Sequence, residues 1–281
     1  MSDIIRVKGL VKRYAGFTLE GIDFALPRGA VVGCIGENGA GKSTTIKSIL
    51  GLITPTAGSV EIFGKAAKDL SREERGKVAA VLGAGSLPFG LRLKELQSVL
   101  RGMFLHWDDA RFCAYCQKFA LPLDKKIKDL SAGMRQKAAF AAALSHGAEL
   151  LVLDEPAAGL DPVARDEMLD ILYDFMQDER HGVFISSHIL SDLEKLCDYI
   201  LFIHAGKQVF FEEKDALYEK YGILRCGQER LRELPQGSVV SVCRGEYGAG
   251  ALVRRDLLGK GMCERASIED IMLYLVKGER L

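Results

Sequence analysis

The apolar positions of this chain follow two rhythms. Residues 4–11 and 17–26 alternate loosely and are rich in Ile, Val, Phe and Leu, which predicts two strands joined near Tyr14-Ala15-Gly16. Short apolar runs at 30–35, 78–82 and 150–153 predict strands buried on both faces, 182–188 predicts the next buried strand with His188 at its end, and 199–204 a further strand. A further strand pair is expected around 59–64 and a last strand at 208–211. Helical spacing intervenes at 45–50, 71–77, 93–104, 108–119, 138–144 and 163–177, with Leu96, Val99, Leu100 and Met103 three and four apart on one face. The alanine-rich run 138–144 is apolar all round and predicts a buried helix. Strands alternating with helices predict an α/β fold with a mostly parallel sheet.

Two stretches break this alternation. From Gly83 to about Lys128, a loop with Gly85, Pro88 and Gly90 leads into helices, which predicts a small helical lobe inserted at about 84–136. Beyond Asp215 the pattern mixes charged helical pieces, 228–234 and 267–276, with one short strand at 238–242. No phosphate, metal or nucleophile motif occurs there, so 216–281 is expected to be an accessory lobe appended to a main domain, 1–215.

The chemistry concentrates at strand ends. Gly36-Glu37-Asn38-Gly39-Ala40-Gly41-Lys42-Ser43-Thr44 is a phosphate loop of the Gly-x4-Gly-Lys-Ser/Thr kind, set between an apolar strand and a helix start. Glycines let the backbone approach phosphate oxygens, and the loop's N–H groups sit at the positive end of a helix dipole. Lys42 would reach the β- and γ-phosphates, and the Ser43 hydroxyl would ligate magnesium. Asp154 and Glu155 emerge from the carboxyl end of a second buried strand, where open α/β sheets bind ligands. Asp154 is placed to hold magnesium, and Glu155 to orient or deprotonate an attacking water. His188 ends a third strand. Ser131 stands at a helix N-cap with Ala132-Gly133-Met134 behind it, a second potential phosphate-facing turn.

Composition narrows the class. Lys+Arg and Asp+Glu both total 38 in 281 residues, so the overall charge suggests no nucleic-acid partner. No apolar run reaches the ~18 residues expected of a membrane span. The N-terminal residues lack the zones of a signal peptide. Seven cysteines, an odd number spread through the chain, fit reduced thiols, and Cys113-Ala114-Tyr115-Cys116 has no second pair at zinc-ribbon spacing.

The order and spacing of these motifs resemble the ATP-binding subunit of an ABC transporter over residues 1 to about 215. The resemblance implies a phosphate-loop NTPase core of the RecA-like kind, with an antiparallel β-subdomain, an inserted α-helical subdomain and a small α+β C-terminal lobe. Gly36 to Thr44 match the Walker A loop, including Asn38, Gly39, Ala40 and Gly41, and Leu150 to Asp154 match Walker B. Glu155 falls on the catalytic glutamate, His188 on the switch histidine that contacts the γ-phosphate, and Tyr14 on the aromatic that stacks on adenine. Residues 157–161 fall on the D-loop. Ser131 and Gly133 fall on the signature motif, usually Leu-Ser-Gly-Gly-Gln and here Leu130-Ser131-Ala132-Gly133-Met134. Met-containing signatures resemble the ABC-2 type exporter branch.

Gly83 stands where the family has a glutamine that touches magnesium and relays to the permease. The resemblance further implies ATP and Mg2+ as ligands, and a homodimer or a heterodimer with a second ATP-binding subunit. It also implies a separate membrane permease contacted around 84–96, export of a drug, peptide antibiotic or lipid, and a cytoplasmic location on the inner face of the membrane. The alternative is a soluble ABC ATPase acting on a ribosome, DNA or another machine. Such relatives usually carry two ATPase halves or a long coiled coil, and this sequence has neither.

Overall fold

A computed structural model describes residues 3–83, 85–226, 231, 233–245, 248–258 and 261–279. Strands β1 (Asp3–Tyr14) and β2 (Phe17–Pro27) form a long hairpin, followed by β3 (Val31–Ile35) and α1 (Lys42–Ile49). Next come β4 (Ala57–Ile62), β5 (Lys65–Ala66), α2 (Arg72–Gly76) and β6 (Val78–Leu82). The helical insertion holds α3 (Leu93–Met103), α4 (Asp109–Lys118) and α5 (Ala132–Ala143). The core resumes with β7 (Leu150–Asp154), α6 (Pro162–Phe175), β8 (Gly182–Ser186), α7 (Leu190–Leu196), β9 (Tyr199–His204) and β10 (Lys207–Glu213). The tail adds α8 (Lys214–Lys220), β11 (Tyr221–Cys226), β12 (Val239–Gly245), β13 (Gly248–Arg254), β14 (Glu264–Arg265) and α9 (Ile268–Lys277).

One ten-stranded sheet runs β5-β4-β1-β2-β10-β9-β3-β8-β7-β6. The strands from β9 to β6 are all parallel; β10 runs antiparallel to β9, and β2, β1, β4 and β5 are each antiparallel to the next within the same sheet. The expectation of a mostly parallel sheet therefore holds for the strands that carry the chemistry. β10 in turn meets the β1–β2 hairpin through the parallel pairing of Lys207 with Glu20.

The unbroken apolar runs are explained by burial on both faces. Val31 and Ile35, Leu151 and Leu153, Val183 and Ile185, and Ile200 and Phe202 point into a core shared with α5, α6 and α7. The intervening Val32 and Cys34, Leu150 and Val152, Phe184, and Leu201 and Ile203 point into a second core with α1 and the β1–β2 hairpin. α1, with the sequence KSTTIKSI, has weak intrinsic helix propensity. Its position comes instead from Ile46 and Ile49, both fully buried, each contributing about 1.5–3 kcal/mol of burial free energy. Six consecutive residues of α5, Ala138 to Ala143, are buried against this core, matching the apolar-all-round pattern.

The tail holds a second sheet, β12-β13-β11-β14. Sequence reading found only its β12 and α9. β13, GAGALVR, is diluted by glycine, and at Gly250 a side chain would run into the Tyr274 hydroxyl of α9. The helical piece expected at 228–234 lies largely outside the described residues.

Candidate active site

The strand order assembles the site. β8 lies between β3 and β7, with Cys34 and Asp154 both level with Ser186. The loops leaving the carboxyl ends of these three neighbours therefore converge, although they are far apart in sequence.

The phosphate loop is built on glycine at two points where nothing else fits. Gly36 has φ 155°, and a Cβ there would land on the Ile203 carbonyl oxygen. Gly41 has φ 120°, and a Cβ would come within 2.6 Å of Leu19 Cδ1. The Gly206 N–H donates to the Ala40 carbonyl at 3.0 Å, bracing the loop from the β9–β10 turn. α1 starts at Lys42 with Gly41 as N-cap, no side-chain cap and no acid in its first turn. Its leading N–H groups thus lack a local acceptor and favour an anion. Lys42 is buried and curls back, its Nζ donating to the Gly36 carbonyl at 2.7 Å and the Glu37 carbonyl at 3.3 Å. Asn38, Gly39 and Ser43 are exposed along the mouth.

The acids and the histidine meet this loop. Ser186 Oγ donates to Asp154 Oδ1 at 2.6 Å and accepts from the Glu155 N–H at 3.1 Å. Glu155 adopts the left-handed backbone (φ 49°), rare for a side-chain-bearing residue and worth about 1–3 kcal/mol of strain, held by its neighbours. That turn aims its carboxylate between two partners. Oε1 lies 3.6 Å from Lys42 Nζ, and Oε2 lies 2.5 Å from His188 Nδ1 while also accepting the His188 N–H at 3.2 Å. A cation, a carboxylate and a histidine thus share one end of the sheet.

A cavity of about 550 Å³ runs from Tyr14 and Phe17 along the loop to Lys42, Ser43, Thr44 and Glu155. Tyr14 is 46% exposed, as an aromatic shelf must be. A second recess of about 520 Å³ lies on the other side of Gly36 to Asn38, lined by Glu155, His188, Leu190 and Met272. Ser131 Oγ caps α5, accepting from the Met134 N–H at 3.2 Å, and Gly133 lies against Leu160. Ser131 and Gly133 line neither recess, so one chain does not bring them to its own phosphate loop.

Sequence reading missed three contributors. Phe17 faces Tyr14 across the two-residue turn, a register the hairpin pattern already implied. Ser186 was legible only as a polar residue ending an apolar run. Met272 carried no local signal at all. Gly83, where the resemblance leads one to expect a glutamine, has φ 75°, and its carbonyl accepts from the Ser86 N–H and Oγ.

Sequence comparison agrees with this arrangement. The profile of the ABC transporter family matches residues 19–158. A second profile, described as an AAA domain, putative AbiEii toxin of a type IV toxin–antitoxin system, matches residues 126–191, which carry the same two acids and the histidine. The chain is 34% identical over 234 residues to the lantibiotic transport ATP-binding protein SrtF of Streptococcus pyogenes, spanning 82% of this chain and 95% of that protein. The chain belongs to the ABC transporter ATP-binding proteins. The bacitracin transport ATP-binding protein BcrA of Bacillus licheniformis is 33% identical over 219 residues, 74% of this chain and 69% of that protein. A solved ATP-binding subunit of an ABC transporter superposes with TM-score 0.70 at 30% identity, covering 76% of this chain and 91% of that one. As an ABC ATPase, the chain binds and hydrolyses ATP. No helix among the described residues is long and apolar enough to cross a membrane.

Proposed function

We propose that this chain energises a separate membrane permease for export of a drug, peptide antibiotic or lipid, working as a pair of copies that close around ATP on the inner face of the membrane. The observation that carries this reading is the separation of the Ser131–Gly133 turn from the phosphate loop within one chain. A second subunit, identical or related, supplies that turn to the first subunit's nucleotide.

The ATP triphosphate lies along the N–H groups of Gly39 to Thr44, and adenine rests on Tyr14. Lys42 leaves the Gly36 carbonyl for the β- and γ-phosphates. Glu155 takes a proton from the water that attacks the γ-phosphorus, and His188, bonded to Glu155 and facing the same phosphate, holds that carboxylate in line. Ser43 and Asp154 offer hard oxygen donors that suit magnesium, and no cluster of three or more acidic, His or Cys ligands among the described residues competes for it. Magnesium bound there would neutralise charge on the β- and γ-phosphates. Loss of the γ-phosphate removes the shared charge between subunits and lets them part. Within the 84–96 stretch expected to meet the permease, exposed Phe89 offers an apolar contact.

The test is Glu155→Gln under saturating ATP, followed by light scattering and phosphate release. The reading expects bound nucleotide, no turnover and a dimer. A monomer, with the permease also supplied, would overturn it. With Gly83 in place of glutamine, hydrolysis without the permease is expected to be slow, and rapid turnover by the isolated chain would argue against that.

A further inference from the structure

The wall of the recess beside His188 includes a residue from outside the ATPase core. Gly36, Glu37, Asn38, Glu155, Ser187, His188 and Leu190 all belong to the strand-end loops or the start of α7, whereas Met272 comes from α9 in the tail. α9 is fixed against α7, the helix that begins just after His188. Ile268 and Ile271 of α9 are fully buried in the same apolar cluster as Leu190, Leu193 and Leu196 of α7. The Ile268 N–H at the start of α9 donates to the Glu194 carboxylate of α7 at 2.7 Å, and Ser267 with Asp270 completes a reciprocal cap. Glu194 also meets the Tyr218 side chain of α8, and the Arg265 guanidinium lies 3.8 Å over the Tyr218 ring. The tail is therefore mechanically continuous with the segment that carries the histidine.

The His188 side chain is 58% exposed, and its polar contact among the described residues is to Glu155. Met272 lines the same recess as that ring, and methionine fills irregular space without offering a competing hydrogen bond.

We propose that Met272 is a positioning residue for the Glu155–His188 pair, so that the C-terminal lobe sets the rate of ATP hydrolysis through α9. This rests on the assignment of Glu155 as the base. Displacements of about 1 Å at a reacting centre cost up to roughly a hundredfold in rate, so removing one restraint on a second-rank partner should cost roughly threefold to tenfold.

The full chain, in excess over γ-labelled ATP, is compared with Met272→Ala, Met272→Leu and Glu155→Gln in single-turnover hydrolysis. Affinity for a fluorescent ATP analogue and the melting temperature are measured alongside. Met272→Ala is expected to slow cleavage by that factor, with nucleotide affinity and melting temperature unchanged, and Met272→Leu to restore the parental rate. A parental rate for Met272→Ala overturns the proposal. So does a loss matched by weaker ATP binding or a lower melting temperature, or a leucine variant as slow as the alanine one. Glu155→Gln that still cleaves ATP removes the underlying base assignment. An inactive Glu155→Gln beside a fully active Met272→Ala removes this inference alone.

Discussion

Replacing Ser186 by alanine isolates the hydrogen bond that fixes the two acids. Ser186 is fully buried, and its hydroxyl donates to Asp154 Oδ1 at 2.6 Å while accepting the Glu155 N–H at 3.1 Å. An O–H to carboxylate bond of that length is charge-assisted, and such bonds contribute about 1.5–3 kcal/mol net. The Glu155 N–H keeps a second acceptor, the Ser186 carbonyl at 3.1 Å, so its loss adds little. Ser186→Ala should therefore destabilise by about 2 kcal/mol. A chain of this size moves by about 2–4 °C per kcal/mol, which gives a drop of about 4–8 °C in thermal unfolding. Turnover should also fall, because both acids lose their shared anchor. A cycle of Ser186→Ala, Asp154→Ala and the double variant reports the pair directly, and a coupling of at least ~1 kcal/mol is expected. A melting temperature within ~1 °C of the parent, or a coupling near zero, would refute the reasoning.

Four further outcomes follow from the same geometry. Gly36→Ala should abolish ATP binding in equilibrium titration and lower the melting temperature by several degrees, since its Cβ would meet the backbone carbonyl of Ile203, which has no rotamer to yield. Glu149 is partly desolvated, which raises its pKa, but hydrogen bonds from Lys77 and Arg28 outweigh this and leave it lowered. Its contribution is thus complete above the unfolded-state value of about 4.3 and fades as pH falls through the folded one. Glu149→Gln should accordingly cost about 1 kcal/mol at pH 7, and the difference from the parent in urea melts should vanish in acid. Burial pushes the Cys34 thiol up to about 12 despite nearby Lys42, so an aromatic disulfide reagent should leave Cys34 unlabelled at pH 7.5 in the folded chain while labelling exposed Cys113. Gly83→Gln should fail to raise the basal ATPase rate, because φ 75° at that position is unfavourable for a side-chain-bearing residue.

Much of the core was legible because its signals are local. A four-residue apolar run such as Leu150–Leu153 reports burial on both faces, and a glycine loop followed by Lys42 and Ser43 reports a phosphate nest, without any knowledge of neighbours. The parts that escaped depend on partners remote in sequence. Ser186 matters because β8 lies between β3 and β7, a fact of strand order. β13 tolerates its glycines because α9 packs close over Gly250. Met272 reaches the recess only through the fold of the whole tail. The antiparallel hairpin was read as a pair of strands, but nothing in its alternation shows that β2 continues the main sheet through β10.

That join gives the bound nucleotide a load to carry. Tyr14 belongs to the hairpin and Lys42 to the helix that follows β3, and β2 pairs with β10 over a short stretch at Lys207 and Glu20, with the Glu20 N–H donating to the Gly206 carbonyl at 2.7 Å. A nucleotide whose base lies on one side and whose phosphates lie on the other stitches across this seam. Its departure removes that stitch, so amide exchange in β1 and β2 should quicken between turnovers more than in β3, β7 and β8.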